Sequence, residues 1–128
     1  MIRHLLIASA ILCAGTGASQ AQDAAAGEKV FAQCKICHQI GEKAKNSVGP
    51  NLNGVIGRPA GSVAGYAYSA ANKGSGLTWD EATFKEYIMD PKGKVPGTKM
   101  TFAGIKDQQK INDLIAYLKQ FGPDGKKQ

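Results

Sequence analysis

Apolar positions recur at helical spacing in three stretches of this 128-residue chain, and a glycine-rich middle separates the first from the other two. The clearest stretch runs from Lys106 to Phe121. Ile111, Leu114, Ile115 and Leu118 follow i, i+3, i+4, i+7 and lay one apolar stripe along one helix face. Gly122-Pro123 stops that helix. A second helix starts at Thr78-Trp-Asp-Glu81, which reads as a capping box with Thr78 as the cap, and continues through Phe84, Tyr87 and Ile88. It ends at Asp90-Pro91, because a residue before proline is pushed out of the helical region. The third runs from Ala24 to about Cys34, capped by Asp23, with Val30 and Phe31 as its apolar positions. From Gln39 to Gly76 there are eight Gly, two Pro and four Asn with little periodicity. That segment reads as long loops with one helical turn near Ser69 to Asn72. No strand pattern is present, so the predicted class is all-α.

The amino-terminal end follows a different logic. Arg3 supplies a positive charge, Leu5 to Cys13 is an apolar stretch of nine residues, and Ser19-Gln-Ala21 offers the small residues of a cleavage site. Residues 1–21 are therefore predicted to be a cleaved signal peptide, and 22–128 a single domain exported to the periplasm. The apolar stretch is far short of the ~20 residues of a membrane span, so no stable membrane insertion is expected. Cys13 follows the bulky Leu12 and reads as part of the apolar stretch rather than as a lipid anchor.

Removing the leader also removes His4 and Cys13. What remains is two cysteines and one histidine, all in the run Cys34-Lys-Ile-Cys37-His38. C-x-x-C-H is the attachment signature of a c-type haem. Two thiols three positions apart can each add to a vinyl group on one porphyrin edge, and the adjoining imidazole then reaches the iron. At this composition the run would arise by chance about once in a thousand chains. A redox disulfide or half a zinc site would also use C-x-x-C. Neither explains the adjoining histidine, no second cysteine pair completes a zinc site, and no βαβ pattern supports a thioredoxin-like fold. A covalently held haem also accounts for loops of unusual length, which can wrap around it.

Charge narrows the partners. Without Arg3 the chain carries fifteen basic and ten acidic side chains, a formal +5 before any cofactor is counted. The lysines are dispersed, with no basic run except Lys126-Lys127, which argues against a nucleic-acid module and leaves acidic protein surfaces as the fitting partners. A six-coordinate iron would need a second ligand. No other histidine remains after cleavage, so Met89 and Met100 are the candidates. Met89 sits at helical spacing, which is usually a core position. Met100 lies in the irregular segment Pro96-Gly-Thr-Lys-Met100, whose turn residues could aim it rigidly.

Beyond this point the chain resembles a known family. Pro96-Gly-Thr-Lys-Met-Thr-Phe-Ala-Gly-Ile, Gly49-Pro-Asn-Leu, Gly57-Arg58, Thr78-Trp79 and Leu114-Ile-Ala-Tyr-Leu118 are similar to class I cytochromes c, over Gly27 to Phe121. The leader and compact loops resemble the bacterial cytochrome c2 branch more than the mitochondrial proteins. The resemblance implies three main helices plus short helical turns and long loops around one covalently bound haem, attached through Cys34 and Cys37. It implies His38 and Met100 as the iron ligands. The Pro50 carbonyl would accept from the distal nitrogen of His38. Tyr68 and Trp79 would donate to a haem propionate with Arg58 nearby, and Tyr87, Asn72 and Thr98 would form a polar cluster beside the methionine sulfur.

The implied function is one-electron transfer by a soluble monomer rather than catalysis. Electrons would pass from a bc1-type complex to a membrane acceptor such as a photosynthetic reaction centre or a terminal oxidase. Lys35, Lys45, Lys92, Lys94, Lys99 and Lys106 would steer the exposed haem edge toward acidic docking surfaces. The alternative is a haem enzyme or sensor with a displaceable methionine, showing peroxidase-like or gas-binding behaviour. The chain departs from the common mitochondrial pattern in four places. The stretch from Phe31 to Cys34 is one residue shorter, Gln33 and Gly93 stand where lysines are common, and Asn46 stands where histidine is common.

Overall fold

The computed structural model describes residues 22–128, so the predicted signal peptide lies outside the described residues. Among the described residues five helical segments appear in the order α1 (Ala24–Phe31), α2 (Ala70–Lys73), α3 (Glu81–Met89), α4 (Pro91–Lys94) and α5 (Gln108–Lys119). Three are main helices (α1, α3 and α5), and α2 and α4 are single turns. Among the described residues the only extended pairing is two isolated bridges, Pro59 with Thr78 and Phe121 with Lys127.

The frame is α1 crossing α5. An added Cβ on Gly27 of α1 would lie 1.8 Å from the Asp113 carbonyl oxygen and 2.9 Å from Tyr117 Cβ, so the two main chains touch where only glycine fits. The predicted stripe of α5 is buried, with Ile111, Leu114, Ile115 and Leu118 each at most 1% exposed. Phe31, at the end of α1, packs on Tyr117 with ring centroids 5.2 Å apart. Buried Asp113 adds a polar tie, since its Oδ1 accepts from the Asp23 amide at 3.0 Å and from Gln109 Nε2 at 2.8 Å. Asp23 in turn caps α1 by accepting from the amides of Ala25 and Ala26.

Boundaries differ from the sequence reading in informative ways. Helix α1 ends at Phe31 and not near Cys34, because the chain then tightens into successive turns. Cys34 N donates to Phe31 O at 2.8 Å, and Cys37 N to Cys34 O at 3.1 Å. Helix α3 is capped by Asp80, whose side chain accepts from Thr83 N at 2.8 Å, rather than by Thr78. The backbone around Thr78 is already committed: Trp79 N donates to Arg58 O at 2.9 Å and Gly57 N to Trp79 O at 2.7 Å, which holds it extended. At the other end Asp90 closes α3 and also caps α4, accepting from Gly93 N with Pro91 in the first helical position. The predicted turn of helix in the middle appears as α2, capped by Ser69. The segment carrying Met100 rejoins α3 through Ile105 N donating to Ile88 O at 2.8 Å. Gly104, at φ +112°, allows that return, since a Cβ there would strike the Met89 carbonyl at 2.2 Å.

The crossing gives a prediction opposite in sign to helix propensity. Gly→Ala inside a helix ordinarily stabilises by roughly 0.5–1 kcal/mol. Gly27→Ala should instead destabilise by about 1–3 kcal/mol through overpacking against α5, read from the guanidinium midpoint of the haem-loaded protein.

Candidate functional site

The turns after α1, the middle loops and the Met100 segment enclose one cavity of about 450 Å³, within the range of about 300–1,000 Å³ typical of cofactor sites. All eleven residues singled out in the sequence line it: Cys34, Cys37 and His38 from the turns, Pro50, Arg58, Tyr68 and Asn72 from the middle, and Trp79, Tyr87, Thr98 and Met100 from α3 and its flanks. Met89 does not line it, and its sulfur instead accepts from Gln108 Nε2 at 3.1 Å.

His38 is positioned by its neighbours before any cofactor is considered. Nδ1 lies 2.7 Å from Pro50 O, and a carbonyl can only accept, so Nδ1 carries the proton and Nε2 keeps its lone pair. Gly49 lies flat against the ring, where an added Cβ would sit 2.3 Å from His38 Cε1. Burial pushes the His38 pKa down, the Pro50 bond partly opposes this, and the Arg58 charge lowers it further. The imidazole is thus held neutral, which is the form that binds a metal. The Cys34 thiol is pushed up to about 11 by burial and by Cys37. That shift favours the neutral thiol over the thiolate.

On another wall, Met100, Thr98 and Tyr87 form a closed ring of hydrogen bonds that includes the Met100 backbone amide. Tyr87 O–H donates to Met100 Sδ at 3.4 Å, Thr98 Oγ1 lies 3.0 Å from the Tyr87 oxygen, and Met100 N donates to Thr98 Oγ1 at 3.4 Å. Each hydroxyl has one proton. If Tyr87 gives its proton to sulfur, Thr98 must give its own to Tyr87, and every member is satisfied. Tyr87 is buried and rests on Trp79 with ring centroids 4.7 Å apart. Burial also pushes its hydroxyl pKa up, which keeps it a donor.

The remaining wall carries an uncompensated cation. Arg58 Nη1 donates to Asn51 O at 3.1 Å and Asn53 O at 2.9 Å, but its buried Nε has no partner among the described residues. Burial lowers the Arg58 pKa, yet a guanidinium remains charged in proteins. Tyr68 O accepts from Val63 N at 3.0 Å, leaving its own proton to give. The buried Asn72 Oδ1 also lacks a partner. A buried cation beside an unspent hydroxyl fits an anionic group brought in by a ligand.

These residues suit a haem: two thiols beside a neutral imidazole, a thioether sulfur, a cavity lined largely by apolar side chains, and a cation for carboxylates. Sequence reasoning missed residues at the mouth. Ile36 and Val48 are 80% and 70% exposed, Tyr66 donates to Val48 O at 2.7 Å, and the Lys99 ammonium sits 4.5 Å over the Tyr66 ring. No motif flags Val48 or Tyr66, because each is an ordinary loop residue until the loops are folded together; Ile36 is an unspecified position of the C-x-x-C-H run, and Lys99 was expected only as one of the steering lysines.

Fold and site together define a small all-α protein built to hold one haem covalently. The family model described as Cytochrome c matches residues 24–122, and the chain belongs to that family. It is 59% identical over 126 residues to cytochrome c2 of Blastochloris viridis, covering 98% of this chain and 99% of that one. Cytochrome c-550 of Nitrobacter winogradskyi is 62% identical over 104 residues, covering 81% and 95% respectively. Among solved structures, cytochrome cH from Methylobacterium extorquens superposes with a TM-score of 0.72 at 60% identity, covering 76% of this chain and 97% of that one. Cytochrome c2 from Rhodospirillum centenum superposes with 0.75 at 41%, covering 79% and 99%. The chain is a haem c protein and an electron carrier rather than an enzyme.

Seating of the imidazole can be tested directly. Gly49→Ala should force His38 away from Pro50, and the exchange-protected Nδ1–H resonance of the reduced protein should disappear from its NMR spectrum.

Proposed function

We propose that the chain is a cytochrome c2-type periplasmic carrier in which Cys34 and Cys37 hold the haem and His38 and Met100 ligate its iron. The observation that carries this reading is the pairing of two preset donors on one cavity, His38 Nε2 left bare by Pro50 and Met100 Sδ held by Tyr87. The bound group supplies a one-electron iron couple, and histidine–methionine ligation favours its reduced state. With His38 and Met100 both holding the iron, no position would be left open for oxygen, peroxide or substrate.

The chain's own residues supply the rest. The Pro50 carbonyl fixes the tautomer and raises the basicity of His38. Tyr87 donates to the methionine sulfur and withdraws electron density from it. Arg58 and Tyr68 neutralise and hydrogen-bond a propionate with Trp79 as a second donor, and Asn72 joins Tyr87 and Thr98 in the polar lining beside the sulfur. Residues 1–21 act as the signal peptide and 22–128 form the single domain. Among the described residues no helix is long and apolar enough to cross a membrane.

Docking would use the mouth, where Ile36 and Val48 are exposed and Lys99 lines the cavity beside them. Lys94 is paired with Glu86, so it contributes less to steering than its formal charge suggests. The partners are acidic surfaces of membrane redox complexes: a bc1-type donor, and a reaction centre or terminal oxidase as acceptor. Supporting this reading, the relatives named cytochrome c2 match over nearly their full length.

A near-infrared sulfur-to-iron charge-transfer band is expected in the oxidised protein at neutral pH. Met100→Ala should abolish it and open the reduced iron to carbon monoxide while the haem stays attached. Absence of the band in the unsubstituted protein would overturn the reading. Rates of reduction by a bc1-type complex, and of oxidation by isolated reaction centres against an oxidase, would identify the partners. Tyr87→Phe should lower the reduction potential by about 20–65 mV, the one-electron equivalent of one hydrogen bond of about 0.5–1.5 kcal/mol.

A further inference from the structure

The Met100 segment is attached to α3 at one end, where Ile105 N donates to Ile88 O. Its approach to the opposite wall of the mouth runs through one exposed residue. The Lys99 ammonium lies 4.5 Å over the face of Tyr66 and donates to the Ala67 carbonyl. Tyr66 is itself fastened in two further directions: its hydroxyl donates to Val48 O at 2.7 Å, and its ring meets Tyr68 edge-on at 4.8 Å. Val48, Tyr66, Tyr68, Lys99 and Met100 all line the cavity. Tyr66 therefore stands where three loops meet: the one following His38, the one carrying Tyr68, and the one carrying Met100.

We propose that Tyr66 is a positioning residue, a clasp that holds the methionine loop against the other walls and so sets how fast Met100 leaves the iron. The proposal rests on the carrier reading with Met100 as ligand and adds a kinetic role that reading does not contain. The hydrogen-bond ring through Thr98 and Tyr87 is local to Met100 and orients its sulfur. By contrast, the Lys99–Tyr66 contact ties the whole segment across the mouth. Tyr66 reaches Met100 only through its neighbour, so its removal should act on opening of the loop more than on the sulfur's bonding when closed. The ring face and the hydroxyl do separable work. The face holds Lys99, and the hydroxyl anchors the ring itself to Val48.

The test is imidazole binding to the oxidised haem-loaded protein by stopped flow, where the rate at saturating imidazole reports departure of Met100. Tyr66→Leu and Lys99→Gln should each raise that limiting rate by about fivefold, as expected for an exposed cation–π contact. Together they should raise it by clearly less than the product of the two single effects, because the Lys99–Tyr66 contact they share can be lost only once. Tyr66→Phe, which keeps the ring face, should fall between. Ile115→Val, which destabilises the core away from the mouth, should leave the limiting rate unchanged. Limiting rates within twofold of the parent in Tyr66→Leu and Lys99→Gln, or effects that multiply in the double variant, would overturn the clasp. Failure of the underlying reading would appear separately, as loss of the charge-transfer band in the unsubstituted protein.

Discussion

Everything at the site depends on the contact between the Gly27 and Asp113 main chains. With no Cβ between them, α1 and α5 approach closely enough for Phe31 to reach Tyr117 and for the Asp113 carboxylate to hold the Asp23 amide. That contact fixes where α1 lies, and successive turns after Phe31 end it. The turns after Phe31 then carry Cys34, Cys37 and His38 to the cavity, their geometry inherited from a helix pinned at both ends. Residues 39–69 contain no helix to be pinned in this way. They are held by side-chain bonds such as Asn46 to Ala64 and Asn51, and Asn53 to Gly41. Asn46 does this bridging with a neutral amide, so the tie keeps the same protonation state across pH, which a histidine at that position would not.

The cavity wall divides into parts that are complete and parts that are not. The Met100–Thr98–Tyr87 ring and the His38–Pro50 bond are satisfied within the chain, whereas Arg58 Nε and Asn72 Oδ1 are left over. This division has a physical sense. The two side chains proposed as iron ligands are locked by partners of their own, which fixes where their donor atoms point. Arg58 Nε, a donor that would meet the charge of an incoming carboxylate, has to be left unspent, since a second internal partner would compete for it; Asn72 Oδ1 is an acceptor and has no such role. An unspent buried cation is destabilising alone. Its presence ties the stability of the loops to the cofactor, consistent with a long loop region of little regular structure.

Much of this was legible in the sequence, and the reasons differ by element. The i, i+3, i+4, i+7 stripe located α5 to within two residues at each end, because burial and periodicity report the same face. The C-x-x-C-H run located the thiols and the imidazole, because covalent chemistry demands that spacing. The α3 cap was misread because the capping-box rule sees only local residues, and the pairing of Trp79 with Arg58 and Gly57 is not local. The polar roles of Tyr68, Tyr87 and Arg58 came from resemblance rather than from pattern. An isolated tyrosine in a loop carries no signal until the fold brings its partner near. Tyr66 carried none of these signals, since its contacts reach Val48, Lys99 and Tyr68 across three loops.

The same arrangement bears on how an electron can pass quickly. Donor and acceptor forms of the iron differ by one charge, and any dipole free to reorient in response adds to the barrier. The groups facing the proposed ligands cannot reorient far: Tyr87 is buried and stacked on Trp79, the His38 ring lies against Gly49, and Arg58 spends one nitrogen on two carbonyls. Solvent exposure is concentrated instead at the mouth, where Ile36 and Val48 are exposed and Lys99 lines the approach. Exposed apolar contacts rimmed by screened charges favour rapid encounter and release over tight association. A rigid interior with a loosely committed rim is the division of labour a carrier needs, since its interior must not change between redox states and its surface must serve two partners in turn.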